Sequence, residues 1–216
     1  MDKPKKVLPK LKEELIVLTE TREQALFLEV YRNYLQQQGY SIRKMQLLSF
    51  GELVRMEKCL QLLPKMEGFG QVKKLVLIAN AGASWRETMW KLDSVLSHNT
   101  FAEELVPRYY LWPGKKGHYW QKGFFEDLLW ETLRERSAEA CHYILLRNIT
   151  EDFLLSVRNS RLEECPLLNE SRHKLYAYLA ATSRYVGMNL AEAAQAGAFE
   201  LGSPVWDKLQ EFLQEL

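Results

Sequence analysis

The run Lys73-Lys74-Leu75-Val76-Leu77-Ile78-Ala79-Asn80-Ala81-Gly82 limits what this chain can fold into more than any other stretch. Residues 75–80 hold five apolar side chains in six positions, without helical spacing, and run into small residues that make a loop. A short, continuous apolar run bounded by a turn reads as a strand covered on both faces, the kind found in parallel sheets. A helix follows at once. Ser84 and Glu87 stand at capping-box spacing, and Trp85, Met89, Leu92 and Leu96 recur on one face. Strand, tight loop and helix are half of a βαβ unit, and such sheets bind ligands just beyond the carboxyl ends of their strands.

The same alternation recurs along the first two thirds of the chain. Residues 14–19 form a second apolar run, closed by Glu20, and Phe27, Leu28, Tyr31, Tyr34 and Leu35 then line one helical stripe that Gly39 stops. Residues 42–48 read as a weaker strand, because Arg43 and Lys44 interrupt it, and therefore as one nearer the sheet edge. Ser49 and Glu52 repeat the capping-box spacing before a helix carrying Leu53, Val54, Met56, Leu60 and Leu63, which Pro64 ends. Residues 108–112 are the fourth strand, broken by Pro113-Gly114. The expected fold class is α/β: a small, four-stranded, mainly parallel, Rossmann-like sheet with helices on both faces.

Strand signals stop after about residue 137. Helices are expected near 141–157, 175–186 and 190–196, and Ser203-Pro204 pairs an N-cap with proline at the first helical position to start a last one. The chain thus divides into a basic tail over 1–12, an α/β domain over 13–137 and a helical extension over 138–216 packed on it. Trp85, Trp90, Trp130 and Trp206 fall among apolar helix positions and are expected in the core.

Composition removes several classes. A chain of 216 residues can bury roughly 70% of its unfolded surface without staples. No apolar run approaches the ~20 residues of a membrane span, so no membrane partner is expected. The basic tail is followed by no signal-peptide core, which places the expected location in the cytoplasm. Cys59, Cys141 and Cys165 are widely spaced and odd in number, the pattern of reduced thiols rather than of a disulfide framework or a zinc site. A formal net charge of +1 gives no whole-molecule field for nucleic acid, so any such contact must come from local clusters. No Gly-rich phosphate loop with a following Lys-Ser/Thr, no Gly-x-Ser-x-Gly elbow and no His-Glu-x-x-His helix is present.

Candidate functional residues collect at the strand ends. Glu20 follows the first strand, Asn80-Ala81-Gly82 the third, and Glu126-Asp127 open the helix past the fourth. Read from the residues alone, each carboxylate is also the ordinary occupant of a helix first turn. The loop over 114–123 packs Lys115, Lys116 and Lys122 with His118, Tyr119 and Trp120 among three glycines. It is either a solvated loop or a phosphate-facing one with an aromatic stacking surface.

Glu20 after strand one and a polar loop after strand three resemble a Toprim domain, the metal-binding α/β module of topoisomerases, primases and overcoming-lysogenization-defect (OLD) nucleases. The segments Leu18-Thr19-Glu20-Thr21-Arg22-Glu23, Ile78-Ala79-Asn80-Ala81-Gly82 and Gly123-Phe124-Phe125-Glu126-Asp127-Leu128-Leu129 are similar to those of a bacterial Toprim-like family of unassigned function related to the OLD nucleases. The stretch from Gly202-Ser203-Pro204-Val205-Trp206 to Phe212-Leu213 resembles the tail of that family. The resemblance implies a general acid/base role for Glu20 and a Mg²⁺ site built from Glu20, Asn80, Glu126 and Asp127. The family's two strand-three aspartates, however, fall on Asn80 and Gly82, and the glycine after the first glutamate on Thr21. Mg²⁺ prefers hard, charged oxygens, so the expected site is weak or lost.

Three functions compete at this point. The first is a Toprim-like domain with a decayed metal site, acting as a nucleic-acid- or nucleotide-binding or regulatory subunit, with an ATPase subunit as the implied protein partner. The second is a divergent Mg²⁺-dependent nuclease or phosphotransferase using Glu20, Glu126 and Asp127. The third is a non-catalytic scaffold. Lys115, Lys116, His118 and Lys122 are the expected phosphate-binding residues.

Overall fold

Alternation along three strands sets the architecture. In the computed structural model, which describes residues 9–51, 53–97, 105, 107–116, 119–138, 141–159 and 170–216, strands β1 (Leu15–Thr19), β3 (Lys74–Asn80) and β4 (Arg108–Trp112) lie side by side. β2 (Gln46–Ser49) closes the other side of β1, giving the order β2-β1-β3-β4, with every neighbour parallel. Successive side chains of a strand point to opposite faces. Leu15, Val17, Val76, Ile78, Tyr110 and Trp112 therefore enter one core layer, and Ile16, Leu18, Leu75, Leu77, Ala79 and Leu111 the other. Val17, Val76 and Ile78 are fully buried and Leu15 nearly so. Each is worth about 1.5–3 kcal/mol relative to an exposed side chain.

Two helices cover the second layer. They are α2 (Leu53–Leu62), through Met56 and Leu60, and α3 (Trp85–Ser97), through Leu92. The first layer is covered by α1 (Arg22–Gln37) and by helices from the second half of the chain. These are α4 (Phe125–Ala138), α6 (Glu170–Ala181), α7 (Leu190–Gln195) and α8 (Asp207–Gln214). α5 (Cys141–Asn159) packs on α4 and α6. The chain leaves β1 for β2 on one side and returns past β1 to β3 and β4. Right-handed crossovers in opposite directions put α1 on one face and α2 and α3 on the other.

Several elements differ from their expected form. β2 is the edge strand foreseen, but its ladder begins at Gln46 rather than at 42. Ile42 and Met45 are buried, yet Arg43 and Lys44 between them stay exposed, and Lys44 pairs with Glu13 at 2.7 Å. The helix expected over 175–186 starts at Glu170 and ends at Ala181, and Tyr185 joins the core from the turn beyond it. Trp130 and Trp206 are buried and Trp85 partly so, but Trp90 is 70% exposed. The buried stripe of α3 runs through Thr88 and Leu92, and two residues from Leu92 is the opposite side of a helix. Ser84 accepts the Glu87 N–H at 3.4 Å as its cap spacing implied. Glu52, and with it the second capping box, lies outside the described residues.

A short antiparallel hairpin follows β4, with β5 (Lys115–Lys116) against β6 (Tyr119–Trp120). Its glycines and lysines predict a loop, and the two-residue strands are too short to leave an alternating pattern in the sequence.

Candidate functional site at the carboxyl edge of the sheet

Glu20, Asn80 and the hairpin meet where the parallel ladder ends. Asn80 pairs with Trp112 in the β3–β4 register, and Thr19 with Ile78 across β1 and β3. One residue past β1, the Glu20 carboxylate accepts the backbone N–H of Asn80 at 2.8 Å. Two residues past β3, Gly82 and Gly123 exchange both backbone hydrogen bonds at 2.8 Å, joining the strand-three loop to the start of α4. Gly123 has φ +137°, and a Cβ there would stand 2.5 Å from Asp127 Oδ2, so only glycine fits this junction.

Glu20 does not cap α1. Thr21 does: its hydroxyl accepts the Gln24 N–H at 3.1 Å, and the Gln24 side chain accepts the Thr21 N–H at 3.4 Å. The Gln24 amide is almost fully buried and donates to Asn80 Oδ1 at 3.2 Å. That same oxygen accepts the Phe125 N–H at 2.8 Å. Asn80 therefore ties the starts of α1 and α4 to the end of β3. Asp127, in the first turn of α4, reaches back to accept the Phe124 N–H at 2.7 Å. This is the N3 half of a capping box.

Glu126 points elsewhere. It is 4% exposed, and Arg172 of α6 approaches it at 3.7 Å while also lying 3.8 Å from Glu23 of α1. Glu23 in turn accepts the Tyr176 hydroxyl and, at 3.0 Å, the Leu190 N–H that opens α7. Burial, then the hydrogen bond and charge of Glu23, push the Tyr176 hydroxyl well above the ordinary tyrosine pKa, against a smaller opposing pull from Arg172. One arginine and one tyrosine from α6 thus hold two carboxylates at the starts of α1 and α4.

Among the phosphate candidates, Lys116 and Lys122 are exposed. Lys115 opens β5 opposite Trp120, and His118 lies outside the described residues. The hairpin is anchored at both ends to the strand edge, through the Asn80–Trp112 register pair and the Gly82–Gly123 bridge. Sequence reasoning gave no role to Glu23, Gln24, Arg172 or Tyr176. Thr21 and Gln24 stand at capping-box spacing and were legible as such; nothing in the sequence brings α6 to Glu23 and Glu126.

Most of the oxygens foreseen for Mg²⁺ are engaged within the protein. Asn80 Oδ1 faces two N–H donors, Gly82 has no side chain, Asp127 is turned back on its own helix start, and Glu126 faces a guanidinium. Among the described residues, no three His, Cys, Asp or Glu side chains are grouped to hold a metal. Comparison with protein-family models, with curated proteins and with solved structures finds no match.

Proposed function

We propose that this chain is a Toprim-like domain whose metal-holding edge has become a structural clasp, and that it works as a binding or regulatory subunit rather than as a hydrolase. The observation that carries the reading is the pair of hydrogen bonds into Asn80 Oδ1, from the Gln24 amide and the Phe125 backbone. An amide in the place of a metal-binding carboxylate serves well as an acceptor for two donors. The ligand suited to this edge is the phosphate of a nucleotide or nucleic acid. Exposed Lys116 and Lys122 supply charge beside glycines that let backbone amides approach an anion. An ATPase of the kind that accompanies OLD-type nucleases is the protein partner that goes with the resemblance.

Two measurements test this. Titration with Mg²⁺ should show binding no tighter than about millimolar, whereas Asn80→Asp with Gly82→Asp should gain affinity. The second substitution has room, since a Cβ on Gly82 meets nothing within 4 Å; any side chain at the φ of +62° found there carries strain, which aspartate bears better than most residues. Tight Mg²⁺ binding by the unaltered chain, or Mg²⁺-dependent cleavage of DNA that Glu20→Gln abolishes, would overturn the reading. For the ligand, fluorescence anisotropy with duplex DNA should show weak binding whose log K falls against log salt with a slope of roughly −2 to −3. Lys115→Ala with Lys116→Ala should abolish it; binding unchanged in that variant would remove the phosphate assignment.

A further inference from the structure

The amino edge of the sheet, at the far end of the strands from Glu20 and Asn80, holds a cavity of about 340 Å³. Its walls follow from the ladder. Leu15 pairs with Lys74 across β1 and β3, and Ile16 with Gln46 across β1 and β2. Lys73 and Lys74 both donate their main-chain N–H to the Glu14 carbonyl, at 2.8 and 3.0 Å. Carried back along β1, this register sets Glu13 and Glu14 between two basic pairs, Arg43-Lys44 before β2 and Lys73-Lys74 at the start of β3. β2 and β3 flank β1, so the basic pairs stand about 10 Å apart, two strand spacings. Each glutamate takes one cation, and from opposite sides: Glu13 pairs with Lys44 at 2.7 Å and Glu14 with Lys73 at 2.5 Å. One cation on each side remains. Arg43 is exposed and has no ion pair among the described residues, and Lys74 turns to the Leu216 main-chain oxygen. Four bases against two acids leave the side chains lining this cavity with an excess of two positive charges.

We propose that this cavity binds a diphosphate group, with Arg43 and Lys44 on one phosphoryl group and Lys73 on the other. Ligand cavities run from ~300 to ~1,000 Å³, so this one suits a compact ligand. A diphosphate is compact and carries its charge at two ends, as a cavity with cations on both sides requires. The guanidinium of Arg43 offers the planar fork that grips a phosphoryl group through two N–H bonds. The resident ion pairs are no obstacle. The Lys44 and Lys73 side chains are 79% and 69% exposed, and pairs so exposed contribute little to stability. Each lysine can therefore turn from carboxylate to phosphate at small cost. Glu13 and Glu14 keep the binding weak. They also disfavour an extended nucleic-acid backbone, which needs a row of cations without acids between them. This cavity is separate from the phosphate assignment made for Lys115, Lys116 and Lys122, which follow the other end of the strands.

Titration of the full chain with inorganic pyrophosphate, without added metal and followed by amide NMR shifts, tests the assignment. The amides of Arg43, Lys44, Lys73 and Lys74 should shift saturably. Arg43→Ala should weaken the binding read there roughly tenfold, because a charge-assisted contact is lost. The exposed arginine holds no ion pair among the described residues, so circular dichroism should show this variant folded. Glu14→Gln should tighten binding by roughly threefold, since it removes a like charge and frees Lys73. A damaged fold does not produce such a gain. Adenosine diphosphate in place of pyrophosphate separates the sources of the group: equal affinity marks the free anion as the sufficient ligand, and tighter binding marks a nucleotide. Four results would overturn the proposal. They are the absence of saturable shifts, shifts confined to the hairpin after β4, affinity unchanged in Arg43→Ala, and inorganic phosphate binding as tightly as pyrophosphate. The second of these would leave the carboxyl-edge reading standing and remove only this one.

Discussion

The side-chain oxygen of Asn80 accepts the backbone N–H of Phe125 at 2.8 Å, so the last residue of β3 caps a helix that begins 45 residues later. The bond does the work of an N-cap for α4, and the Gln24 amide completes the oxygen's coordination. Asn80→Ala should lower stability by about 1–3 kcal/mol, because it removes a cap and leaves a buried Gln24 donor unmatched. Thermal melts should register this as a fall of several degrees. Asn80→Asp keeps an acceptor and adds a charge favoured at a helix start, so it should melt within a degree or two of the parent.

Arg172 spans two carboxylates from different helices, with Glu126 the more deeply buried of the two. Arg172→Met should cost about 1–2 kcal/mol, a value held down by the partial exposure of the guanidinium. Most of that cost is the charge left on Glu126, so adding Glu126→Gln should restore part of it. A double-mutant cycle by chemical denaturation measures the coupling. Strictly additive losses would mean that the two side chains do not interact.

The sheet was legible because its strands are continuous apolar runs, and such runs in alternation with helical stripes leave few arrangements open. Leu15, Val17, Val76 and Ile78 could be assigned to the core from pattern alone. The site was legible only as a location. Glu20 and Asn80 could be placed at neighbouring strand ends, but what Asn80 bonds to depends on Gln24 and Phe125, which no periodicity brings together. Arg172 and Tyr176 reach Glu23 and Glu126 across well over forty residues of sequence, and local signals carry nothing about such pairs. Trp90 shows the opposite failure. A large aromatic in a helix reads as core, although its phase relative to Leu92 puts it on the outer side.

Tyr31 and Tyr110 are buried, and burial, aided by neighbouring tyrosines and acidic side chains, raises the pKa of each well above 10.0. A raised tyrosine pKa means that the folded state holds its proton more tightly than the unfolded state does. The stability this represents is complete below pH 10 and is lost as the pH climbs beyond it, because only the unfolded chain then ionises. Stability should therefore begin to fall near pH 9, where the partly buried Cys59 thiol ionises only in the unfolded chain, and fall more steeply beyond about 10, where Tyr31 and Tyr110 together contribute up to about 2.7 kcal/mol per pH unit and Tyr176 adds to the slope. Denaturant midpoints across this range check the slope, and Tyr110→Phe should make it shallower.

Trp206, at the turn that leads into α8, packs on the first helix of the chain. Its ring lies 5.0 Å from Phe27 and 5.6 Å from Tyr31 by centroid, it is 1% exposed, and its indole N–H donates to the Glu200 carbonyl at 3.1 Å. Both partner rings belong to α1, so one side chain fastens the segment before α8 onto the helix that follows β1. Trp206→Ala should cost about 3–5 kcal/mol, the usual range for emptying an aromatic site in a packed core. Trp206→Phe keeps most of the ring but loses the donor, and should cost about 1–2 kcal/mol for the smaller void and the carbonyl left without its partner. At 2–4 °C for each kcal/mol in a chain of this size, the two variants should separate by roughly 5–10 °C in melting temperature. Equal melting temperatures for Trp206→Ala and the unaltered protein would mean that the closing segment does not depend on this contact.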